Sequence, residues 1–90
     1  MTLSTQLTQV INALPHWQVE GNYLVRSIES ASAAEAIALF NRIAELAEEA
    51  NHHPDLTWSY RTLQIKITSH DTGSITERDV ELAQRINQLA

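Results

Sequence analysis

Apolar residues recur at helical spacing from about Thr2 to Leu14, at positions Leu3, Leu7, Val10, Ile11 and Leu14. This spacing predicts an amphipathic helix, which Pro15 ends. Polar and apolar residues then alternate from Trp17 to Glu20, and Gly21-Asn22 is a two-residue turn signal before a second extended segment, Tyr23 to Glu29. The first third of the chain therefore predicts a helix followed by a β-hairpin.

A second helix is predicted from Ser32 to about Ala50. The hydroxyl of Ser32 can accept from the Glu35 amide while Glu35 reaches back to the Ser32 N–H, as in a capping box. The segment is rich in Ala, Leu and Glu, which favour helices. We expect its buried stripe to consist of Ile37, Phe40, Ile43, Ala44 and Ala47.

The remaining third predicts a strand and a last helix. Thr57 to Thr68 is predicted to be one long strand, with Leu63, Ile65 and Ile67 on one side and Thr62, Gln64, Lys66 and Thr68 on the other, which is typical of an antiparallel sheet covered by helices on one face. An additional short strand is expected at Asp55–Ser59 or at Gly73–Ile75. Thr76 and Asp79 resemble a second capping box, and the stripe of the helix that follows is Val80, Ala83, Ile86 and Leu89.

Composition narrows the function classes. Ninety residues predict a single domain, residues 1–90. The net charge is −5 and the six Lys and Arg residues are scattered, which argues against direct nucleic-acid binding. No cysteine is present, no secretory signal is visible, and no apolar run approaches the roughly 20 residues of a membrane span. We therefore expect a cytoplasmic protein that does not bind membranes.

Three of the four histidines are candidate catalytic residues. His52 and His53 precede Pro54 at the end of the second helix, and His70 stands beside Asp71 after the long strand. Imidazole can give and take a proton near neutral pH, and a helix C-terminus stabilises a cation. General acid–base catalysis on a small molecule is therefore one interpretation. The simpler interpretation is that these histidines are solvated residues at the ends of a helix and a turn. We interpret His16 as structural or exposed.

Other site types fit the sequence less well. A metal site built from His52 or His53 with His70 and Asp71 stays open, although adjacent histidines usually diverge and no cysteine ligand is available. No Gly-x-Ser-x-Gly elbow is present, which argues against a serine hydrolase. The two glycines, Gly21 and Gly73, do not form a phosphate-binding loop.

The spacing of the histidines also resembles a known signature. From Glu48 the sequence reads E-x(3)-H-H-P-x(5)-Y-x(9)-H-x(8)-D, ending at Asp79. This resembles the pterin-4a-carbinolamine dehydratases, also called dimerisation cofactor proteins in animals, over most of residues 17–90. The resemblance implies an α+β fold in which three helices pack on one face of a four-stranded antiparallel sheet. It also implies a homodimer or homotetramer.

The resemblance further implies dehydration of a 4a-hydroxytetrahydropterin to quinonoid dihydropterin, without a metal or organic cofactor. The catalytic residues would be His52, His53 and His70. One imidazole would protonate the departing hydroxyl and another would remove a ring N–H proton, with the assignment left open. The expected substrate-binding residues are Glu48, Pro54, Thr68, Ser69 and Asp71.

Two departures and one alternative accompany the resemblance. Leu56 stands where many animal members carry Trp, and Arg61 stands where Asn is common. These changes affect the expected aromatic wall of the pocket and the interaction surface of the strand. The alternative is a non-catalytic module that binds a protein partner, as a transcription coactivator or a Rubisco assembly factor does. Such assembly relatives tend to lack the histidine set that this chain retains.

Overall fold

Three helices and four strands follow each other along the chain, in a computed structural model that describes residues 4–90. They are α1 (Thr5–Ala13), β1 (Gln18–Glu20), β2 (Tyr23–Glu29), α2 (Ala33–Ala50), β3 (Asp55–Ser59), β4 (Thr62–Ile67) and α3 (Glu77–Leu89). The strands form one antiparallel sheet in the order β1-β2-β4-β3. The predicted α+β class is confirmed.

One face of the sheet carries the core. The pairs Leu24–Ile67 and Ile28–Leu63 place apolar side chains on the same face, where they pack against the buried residues of the helices. The opposite face carries exposed side chains such as Gln64, as the alternation predicted. Among residues 4–90, no helix combines the length and apolar character needed to cross a bilayer.

The predicted strand from Thr57 to Thr68 is wrong as a single element. It is a hairpin, β3 and β4, joined by a two-residue turn at Tyr60 and Arg61. Tyr60 adopts φ = 53° there, although tyrosine is not a usual turn residue, so the sequence carries no turn signal at this point. The alternative strand at Asp55–Ser59 is confirmed, whereas Ser74 in the other candidate segment forms only an isolated bridge.

The helices mostly confirm their predicted ends. Ser4 caps α1, and the predicted start at Thr2 with Leu3 lies outside the described residues. The hydroxyl of Ser32 accepts from the Glu35 N–H at 3.2 Å, but the Glu35 carboxylate accepts from Ala31 rather than from Ser32. Helix α2 ends at Ala50, as predicted.

The buried face of α2 is rotated relative to the prediction. Its buried residues are Ala36, Leu39, Ile43 and Ala47, whereas Ile37 is exposed and Phe40 and Ala44 are half-buried. Phe40 and Ala44 instead line a depression beside Leu56 of β3. In α1, Val10 is likewise exposed while Ile11 is buried.

Helices α2 and α3 run antiparallel. Leu89 at the end of α3 and its C-cap Ala90 lie beside the first half of α2, and Asp79 in the first turn of α3 contacts His52 just beyond the end of α2. This arrangement brings the C-terminal end of one helix to the N-terminal end of the other. The assignment of residues 1–90 to a single domain stays a prediction.

Candidate active site

A left-handed residue ends α2 directly before the two adjacent histidines. Asn51 has φ = 51° and ψ = 42°, a conformation that asparagine tolerates better than most residues. The N–H of His52 bonds to the Ala47 carbonyl at 3.1 Å and the N–H of Asn51 to the Glu48 carbonyl at 3.2 Å, which is a Schellman motif. The chain therefore reverses sharply, and His52 and His53 enter different surroundings.

His52 turns inward and pairs with a buried carboxylate. Its Nε2 lies 2.5 Å from Oδ1 of Asp79, and the side chains are 11% and 0% exposed. The other carboxylate oxygen, Oδ2, accepts from the Ser69 hydroxyl at 2.9 Å and from the Thr76 N–H at 2.7 Å. Asp79 thus serves both as the capping-box partner of Thr76, as predicted, and as the partner of the catalytic candidate His52.

This pair fixes the tautomer of the imidazole. An ionised carboxylate only accepts hydrogen bonds, so Nε2 of His52 must carry a proton. The Nδ1 atom of His52 makes no hydrogen bond within residues 4–90, and in a neutral ring it is the proton acceptor. A carboxylate that holds an imidazole in this way also stabilises the imidazolium that forms when Nδ1 takes a proton.

The ends of two helices reinforce the same charge distribution. Asp79 lies in the first turn of α3, where the helix dipole favours an anion. His52 lies just beyond the C-terminal end of α2, where the dipole favours a cation. Both dipoles therefore stabilise an imidazolium–carboxylate pair between these helices.

His53 turns outward into a wetter environment. Its Nε2 lies 3.1 Å from Oε1 of Glu48, and the two side chains are 56% and 79% exposed. Both residues line a depression of about 300 Å³, the lower limit of the range ~300–1,000 Å³ for small-molecule sites. Its apolar wall consists of Phe40, Ala44, Ala47, Pro54 and Leu56.

The turn after β4 carries the third histidine. His70 is exposed, and its ring meets the ring of Tyr23 edge-on, with centroids 6.5 Å apart. The carboxylate of its neighbour Asp71 accepts a 2.6 Å hydrogen bond from Arg78. That guanidinium holds the pKa of Asp71 below its ordinary value.

Thr68 and Ser69 hold this turn in place. Both are buried: the Thr68 hydroxyl donates to the Asn22 carbonyl at 2.6 Å, and the Ser69 hydroxyl bonds to Asp79 and to the Thr76 hydroxyl. Their hydroxyls are therefore occupied by the fold itself. Ser69 connects Asp79, and through it His52, to the segment that carries His70.

The three histidines thus occupy separate positions, and only His52 belongs to a buried hydrogen-bonded group. Hydrogen bonds join His52, Asp79 and Ser69, whereas within residues 4–90 no hydrogen bond joins the ring of His53 or of His70 to this group. Nor does that part of the chain bring three His, Asp or Glu side chains into a cluster able to hold a metal ion. The open alternative of a metal site has no support in this geometry.

The two departures from the family pattern lie in the β3–β4 hairpin, Leu56 in β3 and Arg61 in the turn. Trp58 is half-exposed and its indole N–H donates to the Tyr60 carbonyl at 2.7 Å. Arg61 pairs with Glu29 at 2.6 Å and lies over the Tyr60 ring. Leu56, by contrast, belongs to the wall of the depression beside His53, so this aliphatic residue takes the expected aromatic position.

Asp79 is the functional candidate that the site prediction missed. The sequence placed it in a capping box and at the end of the signature, but not among the site residues. The usable signal was its fixed spacing from the histidines, because a cap alone does not require a particular distance from His52.

Comparisons with known proteins agree with these observations. The family model for pterin 4 alpha carbinolamine dehydratase matches residues 2–89. A relative from Thermomicrobium roseum that carries a provisional pterin-4-alpha-carbinolamine dehydratase name is 43% identical, over 93% of this chain and 90% of its own length. A relative from Nocardia farcinica with the same provisional name is 39% identical, over 94% and 90%.

Two solved structures share the fold. The crystal structure of a transcriptional coactivator/pterin dehydratase from Brucella melitensis superposes with a TM-score of 0.89 at 26% identity, over 98% of this chain and 97% of that one. A pterin dehydratase-like protein identified as a RuBisCO assembly factor gives 0.68 at 23% identity, over 82% and 86%. The second likeness concerns the fold alone. The match of the family model over nearly the whole chain, with these relatives, shows that the chain belongs to the pterin-4a-carbinolamine dehydratase family.

Proposed function

We propose that this protein catalyses the dehydration of a 4a-hydroxytetrahydropterin to quinonoid dihydropterin and water. The carbon–oxygen bond at the hydroxylated ring carbon breaks, the hydroxyl leaves with an added proton as water, and a ring nitrogen loses its proton as a C=N bond forms. Acid and base are both required, and the reaction consumes no oxidant or reductant. We expect neither a metal nor an organic cofactor.

The observation that carries the proposal is the His52–Asp79 pair in a chain that retains all three family histidines. With Nε2 protonated toward Asp79, Nδ1 of His52 is the atom suited to remove the ring N–H proton. The buried carboxylate then stabilises the imidazolium without movement of charged groups, which is the advantage of a preorganised site. We therefore assign His52 as the base.

His53 and His70 are the candidates for the acid. His53 is half-exposed and paired with Glu48, so it exchanges protons with solvent readily and its cationic form has a nearby anion. The depression beside it offers Pro54 and Leu56 as an apolar wall for a flat ring. We assign protonation of the leaving hydroxyl to His53, with His70 on the opposite side of the substrate.

The residues expected to bind the substrate would do so in different ways. Since the hydroxyls of Thr68 and Ser69 are occupied, these residues would contact a pterin through the backbone of their turn. Asp71 offers an exposed carboxylate next to His70, suited to accept hydrogen bonds from the amino and amide N–H groups of a pterin. Glu48 acts through His53.

The test is a dehydration assay on the purified protein with a freshly generated 4a-hydroxytetrahydropterin. Wild type accelerates the reaction, and His53→Ala and His70→Ala each lose roughly 10²–10⁴ in kcat while keeping their circular dichroism spectra. His16→Asn is the control, because this exposed histidine adopts φ = 75°, which asparagine accepts. Wild type that is no faster than buffer would refute the proposal.

The alternative is a binding module on the same fold, in the way the RuBisCO assembly factor was described. The retained histidines favour the enzyme. An inactive wild type that captures one abundant protein partner from its own lysate, while His53→Ala captures it equally well, would favour the alternative.

We also propose that the protein is cytoplasmic and assembles as a homodimer or homotetramer. The proposal is motivated by a small core and by a sheet whose edge strands, β1 and β3, could pair with those of a second copy. Light scattering after size exclusion should give at least twice the chain mass of 10.1 kDa. A single 10.1 kDa species at micromolar concentration would contradict the oligomer.

A further inference from the structure

A small cluster lies on the open face of the sheet, where β2 begins and β4 ends. The ring of Tyr23 meets His70 at an interplanar angle of 73°, and the Lys66 ammonium lies over the same Tyr23 ring, 4.6 Å from its centroid. We infer that Tyr23 is a positioning residue that holds the imidazole of His70 in its working orientation. This inference rests on the proposed function of His70.

The fold fixes where Tyr23 stands. The Gly21-Asn22 turn places it at the start of β2, and the hydrogen bond from the Thr68 hydroxyl to the Asn22 carbonyl ties this turn to the end of β4. The register Val25–Lys66 sets Lys66 on the same face as Tyr23, in the diagonal position from which long side chains reach across strands. The ring of Tyr23 therefore contacts both Lys66 and the ring of His70.

His70 has no comparable support from charged groups. His52 is held by Asp79 and His53 by Glu48, whereas the ring of His70 makes no hydrogen bond within residues 4–90. Its neighbour Asp71 is paired with Arg78. An exposed imidazole without such a partner samples several rotamers, and the aromatic contact is the interaction that selects one of them.

The aromatic ring of Tyr23 carries this role, and its hydroxyl does not. Within the described residues the Tyr23 hydroxyl makes no side-chain hydrogen bond, whereas the contacts with the Lys66 ammonium and with the His70 imidazole both involve the ring. A phenylalanine should therefore replace Tyr23 without loss. An aliphatic residue of similar size should not, because it offers neither the quadrupole nor the flat surface.

The experiment compares Tyr23→Leu and Tyr23→Phe in the full-length protein. Tyr60→Leu is the matched control: Tyr60 also lies beside a cation, Arg61 at 5.6 Å, but at the β3–β4 turn away from His70. We expect Tyr23→Leu to lower kcat by roughly tenfold with little change in KM, because misorientation of a catalytic group lowers the rate. Tyr23→Phe and Tyr60→Leu should stay within about twofold of wild type.

A measurement without turnover separates this inference from the proposed function. In NMR spectra the imidazole protons of His70, assigned with His70→Ala, should shift in Tyr23→Leu as the ring current of Tyr23 is lost and the rotamers average. They should stay near their wild-type positions in Tyr60→Leu. An inactive wild type with this NMR result refutes the proposed function and leaves the contact intact. Unchanged His70 signals in Tyr23→Leu, or a full loss of activity in Tyr23→Phe, would overturn the inference.

Discussion

His52 and His53 are adjacent in the chain and each pairs with a carboxylate, yet their environments are opposite. The pair of His52 and Asp79 is 11% and 0% exposed, whereas the pair of His53 and Glu48 is 56% and 79% exposed. The left-handed Asn51 ends α2 before both histidines, after which His52 pairs with Asp79 of α3 and His53 pairs with Glu48 of α2. Of two consecutive histidines, His52 therefore faces α3 and His53 faces solvent.

Burial gives the two histidine–carboxylate pairs different uses. An exposed ion pair contributes only about 0–1 kcal/mol to stability and leaves both partners mobile. A buried pair has high costs of desolvation, and loss of one partner leaves an uncompensated buried charge. The His52 pair therefore provides a fixed geometry, and the His53 pair provides exchange with solvent.

The largest expected effect is on catalysis. Asp79→Asn should lower kcat by roughly 10²–10⁴, because the amide can neither fix the tautomer of His52 as an ionised carboxylate does nor stabilise its imidazolium. Glu48→Gln, the same change in the exposed pair, should lower it by less than about tenfold. Steady-state kinetics on both variants make the comparison. Equal losses would mean that burial of the pair is irrelevant to the chemistry.

The second largest expected effect is on stability, in which variants of the two histidines should differ. His52→Ala leaves the fully buried Asp79 without its imidazole partner and should cost about 3–5 kcal/mol of unfolding free energy. His53→Ala, at an exposed position, should stay within about 0.5 kcal/mol of wild type. Urea denaturation measures both. If His52→Ala does not fold, His52→Gln, which keeps an N–H donor, should fold and have a lower unfolding free energy than His53→Ala. Equal unfolding free energies for His52→Gln and His53→Ala would contradict the prediction.

Ser69 tests how far the buried group extends. Ser69→Ala removes one of the donors to Asp79 and should destabilise the protein by about 1–3 kcal/mol, the cost of leaving a buried acceptor partly unsatisfied. Ser27→Ala, on the exposed face of β2, is the matched control and should be nearly neutral. Equal unfolding midpoints for the two variants would exclude Ser69 from the group.

The smallest effect concerns the exposed carboxylate Asp71. Because Arg78 lowers the pKa of Asp71 in the folded protein, Asp71 contributes stability that is fully present above its ordinary pKa and is lost as pH falls through the lower folded-state pKa. Wild type should therefore be slightly more stable than Asp71→Asn at pH 7, and the difference should vanish in acid. A difference that grows as the pH falls would contradict this sign.

Much of the fold was predictable because its signals are local. Ser32 with Glu35, and the stop before Pro54, set the ends of α2 to within a residue. Gly21-Asn22 marked the first hairpin for the same reason, since glycine accepts the positive φ of 59° found there. The second hairpin was missed because Tyr60 adopts φ = 53° without a turn signal in its sequence.

The rotation of α2 about its own axis could not be predicted from the local sequence. Periodicity identifies an apolar stripe, but Ile37 and Ala36 fit such a stripe about equally well in the sequence. Packing against the sheet selected Ala36 and Leu39 for burial, and the same rotation left Phe40 to line the depression beside His53. The shape of the candidate site thus follows from a choice that only packing makes.

The sequence by itself determined the chemical inventory of this protein: three histidines with family spacing, their position at a helix end and after a strand, and the cap that includes Asp79. The tertiary structure alone decided which histidine faces which partner. Asp79 and His52 are 27 residues apart in the chain, and they meet because α2 and α3 pack antiparallel with opposite helix ends together. Local patterns set element ends, whereas a contact between two elements depends on how both pack against the sheet.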